Sequence, residues 1–472
     1  MDETKRSAPS IDDFIGEDAL LCKILSKLSL AEAVRTSVLN RRWRYIWTYL
    51  PNLQATHSNH CIFRRDGSKH VRRYTSPEEL IDEAVQIMDS VVNQHCGFGL
   101  ETFEVDIPFF KKYAGSLDRW VAFAAAANVK ELVLKLQMID IHLFPMVEFY
   151  EFPFHLLFQQ KRQSSIERLY FEYCSLQVPD GIGRLRSLRT LTLHCVNIDD
   201  VNFQNLVSTC SVMECLEVQD CTELVNMSIH QQSRRLKHLT VYYCPSLMSV
   251  EIQAAHLDTF AYTGYDINLS FDNLSSVTEG SIYFSSRSYF LDYVLMTLPN
   301  VLPKCSKLTL WIDYETKLTC VPEVIYHRFE HLKHLVVTID IVIGDNLLWL
   351  VGLLAAAPLL EKFNLHLHLE DPGPPIRVPV ENIPLAHLKE VEIYGFTGSE
   401  GQLIFLQYLC HNASSLKLMR IIGSQWRNFW SDPEEILPSV REETLGHLKR
   451  IVPPGLDFTI SYTHFTRSFH SF

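Results

Sequence analysis

One six-residue pattern, apolar-x-x-apolar-x-apolar, returns along most of the chain and limits what the chain can fold into. It reads Leu100…Phe103…Val105, Val129…Leu132…Leu134, Ile166…Leu169…Phe171, Leu188…Leu191…Leu193, Met213…Leu216…Val218 and Leu236…Leu239…Val241. Leu257…Phe260…Tyr262 is a weaker copy, and a degenerate one starts at Leu274. It resumes as Cys305…Leu308…Leu310, Leu332…Leu335…Val337, Leu360…Phe363…Leu365, Leu388…Val391…Ile393 and Leu416…Met419…Ile421. The last two apolar positions are two residues apart, so they share one face of a short strand. The first anchors the turn that enters it. A single such unit cannot bury its own apolar face, so the units must stack, with their strands side by side in a parallel sheet.

Between the starts at 100 and 416 the twelve steps average about 26 residues and range from 17 to 37. That mean lies within the roughly 20–29 residues of leucine-rich repeats. The expected fold is therefore α/β: an irregular leucine-rich-repeat solenoid with helices on its convex side. Helical stripes fall between the strands. Ser76-Pro77-Glu78-Glu79 opens one that carries Ile81, Ala84, Val85, Met88, Val91 and Val92. Trp120, Phe123, Ala124 and Ala127 mark another, ending near Asn128, and Ser399-Glu400-Gly401-Gln402 opens a third. Several of the 12 cysteines, among them Cys174, Cys221 and Cys244, fall at equivalent repeat positions, as small core residues do.

Strand alternation sends the neighbours of the core residues to the opposite, concave face. It exposes Arg168-Tyr170-Glu172, Thr190-Thr192-His194, His238-Thr240-Tyr242, Lys307-Thr309-Trp311 and His334-Val336-Thr338. Tyr170, His194, Tyr242, Trp311 and His334 are the expected substrate-binding residues, because large side chains where the core does not need them favour an interface.

The charge balance is acidic, −12, which argues against non-specific binding to nucleic acid. Arg35, Arg41, Arg42 and Arg44 read as a solvated face or a contact for an acidic partner. The N-terminus lacks an apolar secretory core, and the longest apolar stretch, 347–360, is broken by Gly352 and Pro358. No membrane association is expected, the thiols should be reduced, and the expected location is nucleus, cytoplasm or both. No phosphate-cradling glycine loop, His-Glu-x-x-His or Gly-x-Ser-x-Gly occurs, so no catalytic residue and no cofactor are expected. Cys210, Cys215 and Cys221 lack metal-ligand spacing, His57, His60 and Cys61 read as polar linker, and no metal site is expected.

Residues 12–55 have a different texture. Leu21, Ile24, Leu25 and Leu28 form an amphipathic stripe, Ala31–Leu39 a second helix, and Asn40–Trp47 a third, closed by Pro51. Three short helices make a marginal core, which needs a partner or neighbour to cover its remaining apolar surface. This segment resembles the F-box. The resemblance rests on Leu20-Leu21, Ile24-Leu25, Leu28, Ala33-Val34-Arg35-Thr36-Ser37-Val38 and Arg42-Trp43-Arg44 with Trp47; Ile15-Gly16 stands where Leu-Pro is usual. Near the other end, His387–Gly398, Phe405–Leu409, Asn412-Ala413 and Leu416–Met419 look like the FBD segment of a large plant group of F-box proteins.

The resemblance implies a non-catalytic substrate-recognition subunit of a Skp-cullin-F-box ubiquitin ligase. Its F-box would bind a Skp-family adaptor and, through it, a cullin scaffold and RING subunit, while the repeats hold a protein substrate. The adaptor contact would come from Ile15, Leu20, Leu21, Ile24, Leu25, Val34, Val38, Trp43 and Trp47. Alternatives are a non-degradative F-box scaffold and a small-molecule receptor of the same type. The expected organisation is a disordered stretch at 1–11, F-box at 12–55, linker at 56–75, repeats at 76–385 and an FBD-like segment at 386–472 that continues the solenoid.

Overall fold

In a computed structural model, residues 17–41, 43–56, 77–109, 111–136, 149–158, 164–180, 185–229, 235–271, 276–285, 290–313, 327–340, 347–368, 382–424, 446, 448 and 450–463 are described. Ile15, residues 57–75 of the expected linker and the expected helix cap Ser76 lie outside them. The chain divides into two compact units, Met1–Met227 and Ser228–Phe472.

The first unit begins with the helices Glu17–Leu25 and Leu30–Arg35. Ser29 caps the second reciprocally with Glu32: the Glu32 N–H donates to Ser29 Oγ and the Ser29 N–H to Glu32 Oε2. A short turn of helix at Trp43–Ile46 follows. Leu25, Ala33, Ile46, Trp47 and Leu50 close around one another as the module's small core. The chain then enters the strand Asn52–Thr56, which pairs in parallel with Thr102–Asp106. A strand this early was not expected, since a lone buried Leu53 carries no repeat signal by itself. Parallel pairing continues through Glu131–Lys135, Arg168–Glu172, Thr190–His194 and Cys215–Gln219.

Most of these strands alternate as the pattern requires. Leu132, Leu134, Leu169, Phe171, Leu191, Leu193, Leu216 and Val218 are fully buried, while the residues between them are half-buried. The helices Pro77–Gln94 and Ala114–Ala126 cover the inward face; Phe123 of the latter lies 6.1 Å from Phe103 of the strand behind it. The chain turns after each of three strands through a residue with positive φ: Tyr173 (54°), Cys195 (49°) and Asp220 (51°). That conformation is uncommon for a residue other than glycine. Here it swings the following Cys174, Val196 and Cys221 into the core.

The second unit repeats the plan. His238–Tyr242, Thr259–Tyr265, Glu279–Ser285, Lys307–Asp313, His334–Asp340, Lys362–Leu367, Glu390–Phe396, Leu418–Ser424 and Asp457–Thr463 pair in parallel in that order. The degenerate copy expected from Leu274 is shifted by three residues. Gly280 pairs with Phe260 and Ile282 with Tyr262, so the unit is Val277…Gly280…Ile282 and its neighbouring steps become 20 and 28 residues. A glycine at an inward position hid it. A Cβ there would lie 2.9 Å from Leu302 Cδ1 and 3.2 Å from Leu308 Cδ1, so neighbouring leucines already fill the space. The helix Glu400–Asn412 packs Phe405 against inward-facing Phe363, 6.3 Å between ring centres. Its start is held by Gln402, whose Oε1 accepts from the N–H groups of Thr397 and Gly398 at 2.9 and 3.0 Å; Ser399 makes no side-chain cap.

Among the described residues, no helix is long and apolar enough to cross a membrane.

Candidate functional site

Two surfaces stand out: the apolar outside of the three-helix module, and the face of the strands turned away from the core.

On the module, the amphipathic stripe splits. Of the expected adaptor contacts, Leu25 is fully buried and Trp47 is 5% exposed, so both sit in the module's core. Leu21, Val34 and Trp43 are half-buried. Leu20 (60%), Ile24 (49%) and Val38 (86%) stand in solvent, joined by Leu28, Leu39 and Tyr45, which were not among the expected contacts. Half of the large apolar side chains exposed among the described residues fall within this stretch of the chain. Arg35, Arg41 and Arg44 are exposed beside them.

The module is fastened to the first repeat by His95, at the end of the Pro77–Gln94 helix. His95 Nε2 faces the Leu50 carbonyl at 3.0 Å, and Nδ1 accepts from the Gly97 N–H at 3.0 Å. The two contacts together select a neutral ring that donates through Nε2. Burial holds its pKa down, to about 4, against the opposing pull of the Leu50 carbonyl.

The outward strand residues of the first unit form a polar network. Near the strand starts, Lys130 meets Glu101 at 2.9 Å and Arg168 meets Glu131 at 3.3 Å. Further along, Lys135 meets Glu104 at 2.7 Å. These strands and Ser26, Leu28, Ser29 and Leu30 of the three-helix module line a cleft of about 590 Å³. Towards the strand ends, Tyr170 and His194 come together, the Tyr170 hydroxyl 3.4 Å from His194 Nδ1 and 3.4 Å from Glu172 Oε2. Glu172, expected in the open, is only 4% exposed, because Tyr170 and His194 close over it. His194 Nδ1 lies 3.3 Å from Glu172 Oε1 and Nε2 lies 3.6 Å from Asp220 Oδ2. The hydrogen bond with Cys195, and then that with Glu172, push the His194 pKa up to about 10. Cys195 and Asp220 were missed from the sequence, since a full repeat separates them.

In the second unit the same face is aromatic. Tyr242, Tyr243, Tyr283 and Trp311 follow one another with ring centres 4.8, 6.2 and 5.4 Å apart, and Trp311 is 37% exposed. Tyr242 and Trp311 were expected here; Tyr243 and Tyr283 complete the run. His334 is not part of it. It sits at the start of its strand, opposite Lys307, while Trp311 pairs with Thr338 at the other end. Beyond it, Glu392 is buried on the outward face beneath Arg420 (2.8 Å), Lys362 (3.8 Å), Asn364 (3.1 Å) and Tyr394 (3.3 Å).

Comparison with known proteins gives the same two parts. The family model described as the At1g61320/AtMIF1 LRR domain matches residues 91–425, and the F-box model matches residues 18–54. Among relatives, the putative FBD-associated F-box protein At1g61330 of Arabidopsis thaliana is 23% identical, covering 86% of this chain and 89% of its own. The F-box/FBD/LRR-repeat protein At3g26920 of the same organism is 26% identical, covering 92% of each chain.

Proposed function

Since this chain belongs to the family of the At1g61320/AtMIF1 leucine-rich-repeat domain and carries an F-box ahead of it, we propose that it is the substrate-recognition subunit of a Skp-cullin-F-box ubiquitin ligase. The observation that carries this reading is the exposed apolar set Leu20, Ile24, Leu28, Val38, Leu39 and Tyr45. A folded module of this size has no reason to leave six large apolar side chains in water unless a partner covers them. A Skp-type adaptor is that partner, and it links the chain to a cullin scaffold and RING subunit in the nucleus or cytoplasm.

The chain needs no reactive group for this role. Holding a protein substrate beside a charged conjugating enzyme raises the effective concentration of the acceptor lysine. The aromatic run Tyr242, Tyr243, Tyr283 and Trp311 supports substrate capture on the outward strand face, as rigid aromatic side chains bind at low entropic cost.

The test is calorimetry of the full chain with a purified Skp-type adaptor. Leu20→Glu combined with Ile24→Glu should weaken binding more than tenfold, since each exposed anchor is worth about 1.4 kcal/mol or more when lost. Both side chains stand in solvent, so the fold, followed by circular dichroism, should persist. Unchanged affinity with an intact fold would remove the adaptor reading.

A further inference from the structure

The cluster at the strand ends of the first unit has a chemistry that substrate capture does not require. His194 ends its strand, Cys195 follows it, and Asp220 occupies the same post-strand place one repeat later. One nitrogen of His194, the Cys195 sulfur and a carboxylate oxygen of Asp220 all lie within 4.8 Å of one another, and all three residues are half-buried. Among the described residues no lysine or arginine lies within 4 Å of Glu172 or Asp220; His194 stands between their carboxylates, and the other side-chain partners are neutral, Tyr170 donating to Glu172 and Gln219 Nε2 to Asp220 Oδ2 at 3.0 Å. Glu392 in the second unit, by contrast, is covered by Arg420 and Lys362.

We propose that His194 Nε2, Cys195 Sγ and Asp220 Oδ2 form a Zn²⁺ site, with Glu172 holding the His194 ring through Nδ1. One imidazole, one thiolate and one carboxylate make a ligand set that suits this borderline-soft ion. Tetrahedral bonds of about 2.0–2.3 Å place ligand atoms roughly 3.3–3.5 Å apart, and the 3.6 Å between Nε2 and Oδ2 is close to that already. A carboxylate behind the metal-bound ring is the usual second partner of a histidine ligand: it fixes the tautomer and strengthens the nitrogen donor. Glu172 is placed for it at 3.3 Å, and its burial keeps it there. The left-handed turns at Cys195 and Asp220 set the two side chains side by side across adjacent repeats. On binding, the Cys195 thiol releases its proton to solvent, as does Nε2 of any imidazolium; nothing is oxidised. Three protein ligands leave a fourth position, which water or a donor atom from a bound protein can take.

Cobalt is the probe. The full chain, stripped with a chelator, is titrated with Co²⁺ and the thiolate-to-cobalt charge-transfer absorption is recorded, then displaced with Zn²⁺. One equivalent should bind with that absorption. Cys195→Asn should abolish it while keeping the turn, because asparagine tolerates positive φ. Cys215→Ser, at the far end of the next strand, should leave it intact. Glu172→Gln should keep the absorption but weaken affinity about 10- to 100-fold, as loss of such an outer partner does. Absence of the absorption in the parent chain, or its persistence in the folded Cys195→Asn chain, would overturn the proposal.

Discussion

His95 and His194 belong to the same compact unit, yet their surroundings push them in opposite directions. His95 is buried, and the polar groups its ring nitrogens meet are uncharged, the Leu50 carbonyl and the Gly97 N–H. Its pKa falls to about 4. His194 is half-buried between Glu172 and Asp220 and beside Cys195, and its pKa rises to about 10. The difference separates a structural histidine from a chemical one. Burial alone makes a neutral fastener, here joining the F-box module to the first repeat. Burial among acids makes a site that holds a positive charge, whether a proton or a metal ion.

The largest expected effect tests the fastener. The folded-state pKa of His95 lies below its unfolded value of about 6.5, so the folded chain binds fewer protons there than the unfolded one. The stabilisation is complete above pH ~6.5 and is lost as pH falls towards 4, by about 3 kcal/mol in all. Other carboxylates titrate in the same window, so the measurement is the difference between the parent chain and His95→Gln in denaturant unfolding at pH 7 and pH 4.5. Glutamine can donate to the Leu50 carbonyl and accept from Gly97 but does not titrate. Equal acid sensitivity in the two chains would show that His95 is not the fastener.

A smaller effect tests how buried acids are neutralised. Glu392 and Glu172 are both about 5% exposed on outward strand positions, but Glu392 lies under the fixed cation Arg420 at 2.8 Å. Arg420→Met keeps the apolar stem and leaves the carboxylate with Lys362 at 3.8 Å and two neutral donors. The loss should be about 2 kcal/mol, the cost of a poorly paired buried charge reduced because Arg420 is itself half-exposed. Chemical denaturation at pH 7 measures it. A loss under about 0.5 kcal/mol would mean that Glu392 recruits water and that its cations are incidental.

The period and alternation of the strands were legible in the sequence because they depend on local geometry: Leu169 and Phe171 had to face inward whatever surrounds them. The strand at Asn52–Thr56 was not legible, because its parallel partner lies about 50 residues on. Gly280 broke the pattern because an inward position can be filled from Leu302 and Leu308 instead of by its own side chain. On the first helix the apolar positions were legible but not their division: the expected set mixed exposed Leu20 and Ile24 with buried Leu25, because the side covered by the neighbouring helices is not a local property. The Cys195–Asp220 pairing is not legible at the short spacings of metal-ligand motifs, because a full repeat separates the two residues. The signal was present in a column: the residues seven places after the repeat starts at 166, 188 and 213 are Tyr173, Cys195 and Asp220, and those one place earlier are Glu172, His194 and Gln219. Stacking turns such columns into neighbours.

The smallest expected effect closes the comparison of the two histidines. If His194 serves charge and ligation, the fold should hardly need it. His194→Gln retains a donor for Glu172 and fills a similar volume, and the side chain it replaces is about a quarter exposed, where the field of Asp220 is partly screened. In the presence of a chelator, the variant should lose less than about 1 kcal/mol in denaturant unfolding at pH 7. Tyr170 still caps Glu172 at 3.4 Å, so the acid is not left bare. A loss of about 2 kcal/mol or more would place His194 with His95 as a fastener, and the acids around it would then be there to hold the ring in position. A small loss, together with unchanged hydrogen exchange in the strands Arg168–Glu172 and Cys215–Gln219, would leave the strand ends free for a chemical role, since removing the imidazole would have disturbed the charge there and not the packing.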